Sequence, residues 1–130
     1  MATGNFVLDK GYKVAAGQIV TKFRAVKFSA AETVTPVTAI GDRIAGVVQF
    51  SVSAAELLKG KGASVRVAGI TEAEASGAVA VGAAVGLAAD GRVKTAAIGE
   101  RIVGTCVGHP ATNAGDRISL RLDTDGILSP

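Results

Sequence analysis

The chain has 130 residues, of which 48% are hydrophobic but only 4% aromatic; it has no tryptophan, 17 glycines and one cysteine, and a formal charge of +3. That length suits one domain burying roughly two-thirds of its unfolded surface, around a core that has to be made of Ala, Val and Ile. A single cysteine excludes an internal disulfide, one Cys and one His cannot supply the four ligands of a structural zinc site, and so few aromatics argue against direct nucleic-acid binding by base stacking.

In residues 1–13, Phe6, Val7, Leu8 and Tyr12 accompany Lys10 and Lys13. Two readings stand: an N-terminal arm suited to adding a strand to an acidic neighbour, or the first strand of the chain's own barrel. Asp9 and the lack of a long apolar run argue against a signal peptide, so a soluble protein made inside the cell is expected. A strand is expected over residues 19–28, with its phase slipping near Ala25-Val26, a possible bulge. Pro36 and the threonines around it suggest a loop or edge strand. Val48, Phe50 and Val52 alternate with Val47, Gln49 and Ser51 as a strand does, though less purely.

Ser53-Ala54-Ala55-Glu56 is a capping box followed by Leu57, Leu58 and a stop at Gly60, which predicts a short helix over residues 53–59. Thr71-Glu72-Ala73-Glu74 suggests a second, weaker one. The apolar stretch from Ala78 to Ala89 is far shorter than the roughly 20 residues needed to span a bilayer. Asp90-Gly91 between two extended segments predicts a type I′ hairpin. Strands follow over residues 102–107 and in Ile118-Ser119-Leu120-Arg121-Leu122, which alternates without a break. Residues 124–130 are expected to form a C-terminal tail.

The strand pattern occurs twice. Gly41-Asp42-Arg43-Ile44-Ala45-Gly46 matches Gly99-Glu100-Arg101-Ile102-Val103-Gly104, 58 residues on. Around it, Gly17-Gln18-Ile19-Val20 aligns with Gly82-Ala83-Ala84-Val85, Val26-Lys27 with Val93-Lys94, and Gly62-Ala63-Ser64-Val65-Arg66-Val67 with Gly115-Asp116-Arg117-Ile118-Ser119-Leu120. On this alignment the second copy lacks a counterpart to most of residues 28–39 and to residues 53–59. Two copies are too few for a solenoid. The expected fold is therefore mainly β, a small duplicated β-barrel or β-sandwich, β-tulip-like, with one or two short helices; residues 14–123 form a single β domain built from two related halves.

Catalytic chemistry finds no constellation. Cys106 and His109 stand at a spacing that points them to opposite faces of a strand, with no third group to orient the base. Residues 55–62, ending Gly60-Lys61-Gly62, lack both the upstream glycine and the Ser or Thr of a phosphate loop. Asp123-Thr124-Asp125-Gly126 lacks the spacing and terminal Glu of a calcium loop. Arg43 and Arg101, at matching positions of the two copies, suit carboxylate pairing. The expectation is a non-enzyme without metal or cofactor.

The second half carries a resemblance, in Ala88-Ala89-Asp90-Gly91-Arg92-Val93-Lys94-Thr95-Ala96, in Ile102-Val103-Gly104-Thr105-Cys106-Val107, and in Ala114-Gly115-Asp116-Arg117-Ile118-Ser119-Leu120-Arg121-Leu122. In the order and spacing of these segments the chain from Glu74 to Leu122, and more loosely from Lys13, resembles the capsid decoration (cement) proteins of tailed bacteriophages. The resemblance implies a virion protein on the outer surface of the head that clamps neighbouring major capsid protein subunits. It also implies a homotrimer on the capsid, with an extended N-terminal arm in which Phe6, Val7, Leu8, Lys10, Tyr12 and Lys13 are the candidate contacts, and neither membrane nor direct nucleic-acid partners. The alternative from another class is a small β-barrel binding module for nucleic acid or a peptide.

Overall fold

A computed structural model describes residues 7–39 and 42–122. Phe6, Gly41 and the expected tail lie outside the described residues. The strands are β1 (Leu8–Val14), β2 (Ala25–Ala30), β3 (Thr33–Pro36), β4 (Gly46–Val48), β5 (Ala63–Ala68), β6 (Ile70–Glu74), β7 (Ala84–Leu87), β8 (Val93–Thr95), β9 (Gly104–Cys106) and β10 (Arg117–Leu122), with one helix, α1 (Ala54–Leu58), between β4 and β5. The fold is mainly β, as expected.

The first five strands close into a barrel in the order β1-β3-β2-β4-β5, and the last five form a sheet in the order β6-β10-β9-β7-β8. Taken around the barrel from β1 as β1-β5-β4-β2-β3, each strand of the first half corresponds to the strand five later. Register confirms the correspondence. Ala25 and Val26 pair with Val47 and Gly46, as Ala84 and Val85 pair with Thr105 and Gly104. Val47 and Val48 pair with Arg66 and Val65, as Thr105 and Cys106 pair with Arg121 and Leu120.

This register upholds the match of Gly46 with Gly104 and corrects the others. Val20 bridges Val52 as Val79 bridges Ala111, so the counterpart of Val20 is Val79 and not Val85. Val26 corresponds to Val85, and Val93 to Val34, because Phe28 faces Val34 as Leu87 faces Val93. The second half therefore has its own β2–β3 hairpin, contrary to the gap expected at residues 28–39. Val65 corresponds to Leu120 rather than Ile118, a slip of two that preserves the face. Runs of Val and Ala at period two fit one another at any even shift, so short matches of that kind carry little register information.

Side-chain size fits so narrow an enclosure. A five-stranded barrel has room inside only for small side chains, and the first core holds Val14, Val20, Val26, Val34, Val48, Ala63 and Val65 with Tyr12 at its edge. Ile118 and Leu120 of β10 and Ala73 of β6 fill the second, with Ser119 and Glu72 outward. Residues 71–74 are strand and not helix: Thr71 and Ala73 are buried while Ile70 and Glu72 are exposed, a period of two. α1 forms as expected, with Ser53 Oγ accepting from Glu56 N and Glu56 reaching back to Ser53 N. In the second half a tight turn held by Asp116, whose carboxylate accepts from Thr112 N and Asn113 N, takes its place.

Two further expectations change. The strand foreseen over residues 19–28 begins only at Ala25, because Phe23 sits at φ 64° in a turn. In the hairpin joining β7 and β8, only Gly91 has positive φ, and Gly91 N bonds Ala88 O while Ala88 N bonds Arg92 O. That is a type I turn closed by a left-handed glycine bulge, not a type I′ turn. Asp90 caps it, its Oδ1 accepting from Arg92 N at 3.1 Å.

Candidate interaction surface

The residues examined for chemistry do not converge. Cys106 is fully buried, and its Sγ lies 3.4 Å from the main-chain oxygen of His109, whose side chain is exposed. Thiol and imidazole therefore form no nucleophile–base pair. Gly60 ends α1 at φ 81°, and Lys61 is paired with Glu56 at 2.6 Å. Arg43 is exposed and Arg101 half-buried. Among the described residues no cluster of three His, Cys, Asp or Glu is placed to hold a metal ion. Two open clefts have volumes of about 230 and 280 Å³, below the roughly 300–1,000 Å³ usual for ligand pockets.

The N-terminal residues are part of the scaffold from Leu8 onward. Leu8–Val14 pairs antiparallel with β5 and parallel with β3, where Lys13 N donates to Glu32 O at 2.9 Å. The domain boundary at residue 13 is thereby corrected: residues 8–13 are the first strand of the barrel rather than an arm outside it. The cause is visible in the side chains. Tyr12 and Val14 point into the core, and Asp9 is gripped by both Nε and an Nη of Arg66, at 2.8 and 3.1 Å. This bidentate hydrogen bond holds the Asp9 carboxyl below its ordinary range and raises the Arg66 guanidinium.

Of the candidate contacts, Val7 and Leu8 are exposed, at 47% and 53%. Lys10 lies 5.6 Å from the Tyr12 ring, and Tyr12 meets Phe28 edge to face at 5.2 Å. Lys13 is exposed. Sequence reasoning missed Phe28, which is 51% exposed and completes this patch from β2. The closure of the barrel leaves it at the open end.

The junction between the halves was not foreseen either. In the first barrel the parallel seam has two bonds, Lys13 N to Glu32 O and Ala15 N to Val34 O. In the second sheet the edges meet at Ala75 and Val93, where Ser76 N bonds Val93 O, the counterpart of the second bond alone. Where the first bond would fall, residues 23–25 of the first half intrude. Glu74 N donates to Phe23 O at 2.9 Å and Ala25 N to Gly91 O at 2.8 Å. Arg24 and Arg92 flank the Glu74 carboxylate at 3.4 and 3.8 Å, and Arg117 stacks over the Phe23 ring at 4.6 Å. Ala25 and Val37 belong to the second core, with Ile44 packed against it.

Four large apolar side chains are exposed on the second half: Ile98, Val81, Ile70 and Val107, by 85%, 57%, 39% and 36%.

No protein-family model matches the chain, and no curated protein does. Among solved structures it is similar to the N base of the head fiber gp8.5 of bacteriophage phi29, with 15% sequence identity and a TM-score of 0.64, over 94% of this chain and 98% of that one. At that identity the likeness is one of fold.

Proposed function

We propose that this chain is a structural protein of a bacteriophage virion, which binds the outer surface of the head and stabilises contacts between neighbouring major capsid subunits. The observation that carries this reading is the similarity in fold, over nearly the whole of both chains, to the base of a phage head fiber. One feature supports it: the exposed apolar side chains are spread over both halves, as suits many modest contacts on a symmetric lattice rather than one deep site. Val7, Leu8, Lys10 and Lys13 remain the candidate capsid contacts, presented from a strand edge together with Phe28.

The nucleic-acid reading has few rings to draw on. Tyr12 is nearly buried and the Phe23 ring is occupied by Arg117 at 4.6 Å and Lys22 at 5.5 Å, which leaves Phe28 and Phe50, 51% and 64% exposed, as the described rings a base could stack on.

The test is co-sedimentation of the purified chain with assembled phage heads, alongside anisotropy with a single-stranded oligonucleotide. Saturable attachment to heads and no oligonucleotide binding is the expected result. Tight oligonucleotide binding with no attachment to heads overturns the reading.

A further inference from the structure

The contact between the two halves is made once within the chain, and we propose that it is repeated between copies, the second half of one copy seating on the open end of the first barrel of the next. This contact goes beyond the virion reading and does not depend on it. It rests on what each half lacks by comparison with the other.

In the second half, the end carrying the β7–β8 hairpin is covered by the first barrel. Gly91 at the hairpin tip accepts from Ala25 N, a Cβ on Gly91 would lie 2.8 Å from Ala25 O, and Leu87 beside it is 1% exposed. Among the described residues nothing covers the matching end of the first barrel. Phe28, the counterpart of Leu87, is 51% exposed, and residues 29–32 of the matching hairpin are exposed throughout. Glu32 takes the left-handed conformation there, φ 54°, that Gly91 takes in the covered hairpin, φ 86°. The two ends thus share their backbone and differ in whether a neighbour sits on them.

The covering surface also has a counterpart. Phe23, Arg24 and Ala25 correspond to Gly82, Ala83 and Ala84, and Phe23 N bonds Val48 O just as Gly82 N bonds Cys106 O. On this second surface, Val81 takes the place of Lys22 and Val107 that of Gln49. Ile98 lies in the loop matching the one from which Val37 and Ile44 reach the second core. Val107 therefore stands where half-buried Gln49 meets the second half, and Val81 and Ile98 share its surface, one beside the counterpart of Phe23 and the other in the loop matching that of Val37 and Ile44.

The chemistry of the contact shifts accordingly. Within the chain it includes the polar pairs Arg24–Glu74 and Gln49–Thr71, at 3.4 and 2.8 Å. Their counterparts between copies are Ala83 with Lys13 and Val107 with Lys10, apolar surface against lysine stems. Because Lys13 N already bonds Glu32 O, the seam of the first barrel stays shut and the contact is made by side chains alone. It is weaker than the internal one and separable. Since the two surfaces differ, the association is head-to-tail and closes into a ring or continues as a chain of copies.

Sedimentation velocity on wild type, Ile98→Asp, Phe28→Asp and an equimolar mixture of the two variants tests this, with circular dichroism to verify folding. Wild type should exceed the monomer mass, and each variant alone should be monomeric. The mixture should form a dimer, because the intact second-half surface of the Phe28→Asp copy meets the intact barrel end of the Ile98→Asp copy. Should Phe28→Asp fail to fold, Ala31→Arg on the exposed hairpin takes its place. A wild type that stays monomeric at the highest attainable concentration, or variants that remain monomers when mixed, overturns the proposal.

Discussion

Gly46 and Gly104 occupy one and the same position in the two halves, and neither has room for a side chain. A Cβ on Gly46 would run into the carbonyl oxygen of Arg66 and lie 2.7 Å from Val65 Cγ1; on Gly104 it would run into the carbonyl oxygen of Arg121 and lie 2.7 Å from Leu120 Cδ1. Both obstacles include backbone, which cannot rotate away. Gly46→Ala and Gly104→Ala should each destabilise the protein by about 1–3 kcal/mol or more, the usual cost of overpacking. Chemical denaturation measures it, and an unchanged midpoint in either variant would contradict the strand spacing described.

Gly91→Val should be more damaging than a turn substitution normally is. It places a β-branched residue at φ 86° and drives its Cβ toward Ala25 O, 2.8 Å away, at the junction of the two halves. The expected result is a lowered melting temperature and faster hydrogen exchange at Ala25 NH, whose acceptor is Gly91 O. Exchange at Ala25 that is unaffected in a destabilised variant would separate the turn from the junction.

Cys106 stands where the first half has Val48, and both are fully buried. Cys106→Val adds one heavy atom to a fully buried site and should cost no more than about 1–3 kcal/mol, the usual effect of an extra methylene in a core, and His109→Ala should leave attachment to heads intact. Loss of attachment in folded Cys106→Val would show that the thiol has a role the geometry does not reveal.

Acid should unfold the protein through its hydrogen-bonded carboxylates. Asp9 is held below its ordinary value of 3.8 by the Arg66 hydrogen bond. Asp42 is held below the same value by Lys27 and by the backbone N–H of Thr38 and Ala39. A carboxyl with a lower pKa folded than unfolded stabilises fully above its unfolded value, and the contribution is lost as pH falls through the folded value. Stability should thus be level from neutrality to about pH 5 and decline below about pH 4. Asp9→Asn should be less stable at pH 7 and should show a shallower decline; an acid limb identical to wild type would remove Asp9 from the account.

Much of the architecture was legible before any coordinates. Strict alternation in Ile118-Ser119-Leu120-Arg121-Leu122 marked β10, the box from Ser53 to Glu56 marked α1, and the pair of six-residue matches ending in Gly46 and Gly104 marked the duplication. That last match kept its register because glycine there is imposed by a neighbouring carbonyl, a constraint only one residue type meets. The remaining alignments slipped, since Val and Ala fit an inward position at any even shift and leave the choice to strand pairing.

The swap of a lysine illustrates what sequence comparison by position cannot see. Asp42 and Glu100 are counterparts, and each is held by a lysine, at 3.0 and 2.7 Å. Lys27, however, comes from β2, opposite Thr35, and Lys94 from β8, opposite Gly86. The same ion pair is reached from opposite members of the hairpin, because cross-strand neighbours lie within reach of one another's partners.

By itself the sequence determined what is local: where the backbone alternates, where a helix is capped, and that small apolar residues must fill the interior. The tertiary structure decided what depends on closure. Whether Leu8–Val14 was an arm or a strand turned on an edge of β5 more than fifty residues away, and whether Phe28 was core or surface turned on which barrel end had a neighbour. Main-chain donors and acceptors seek partners without regard to side-chain identity, so the insertion of residues 23–25 beside Glu74 and Gly91 left no mark in the residue pattern, although it joins the two halves.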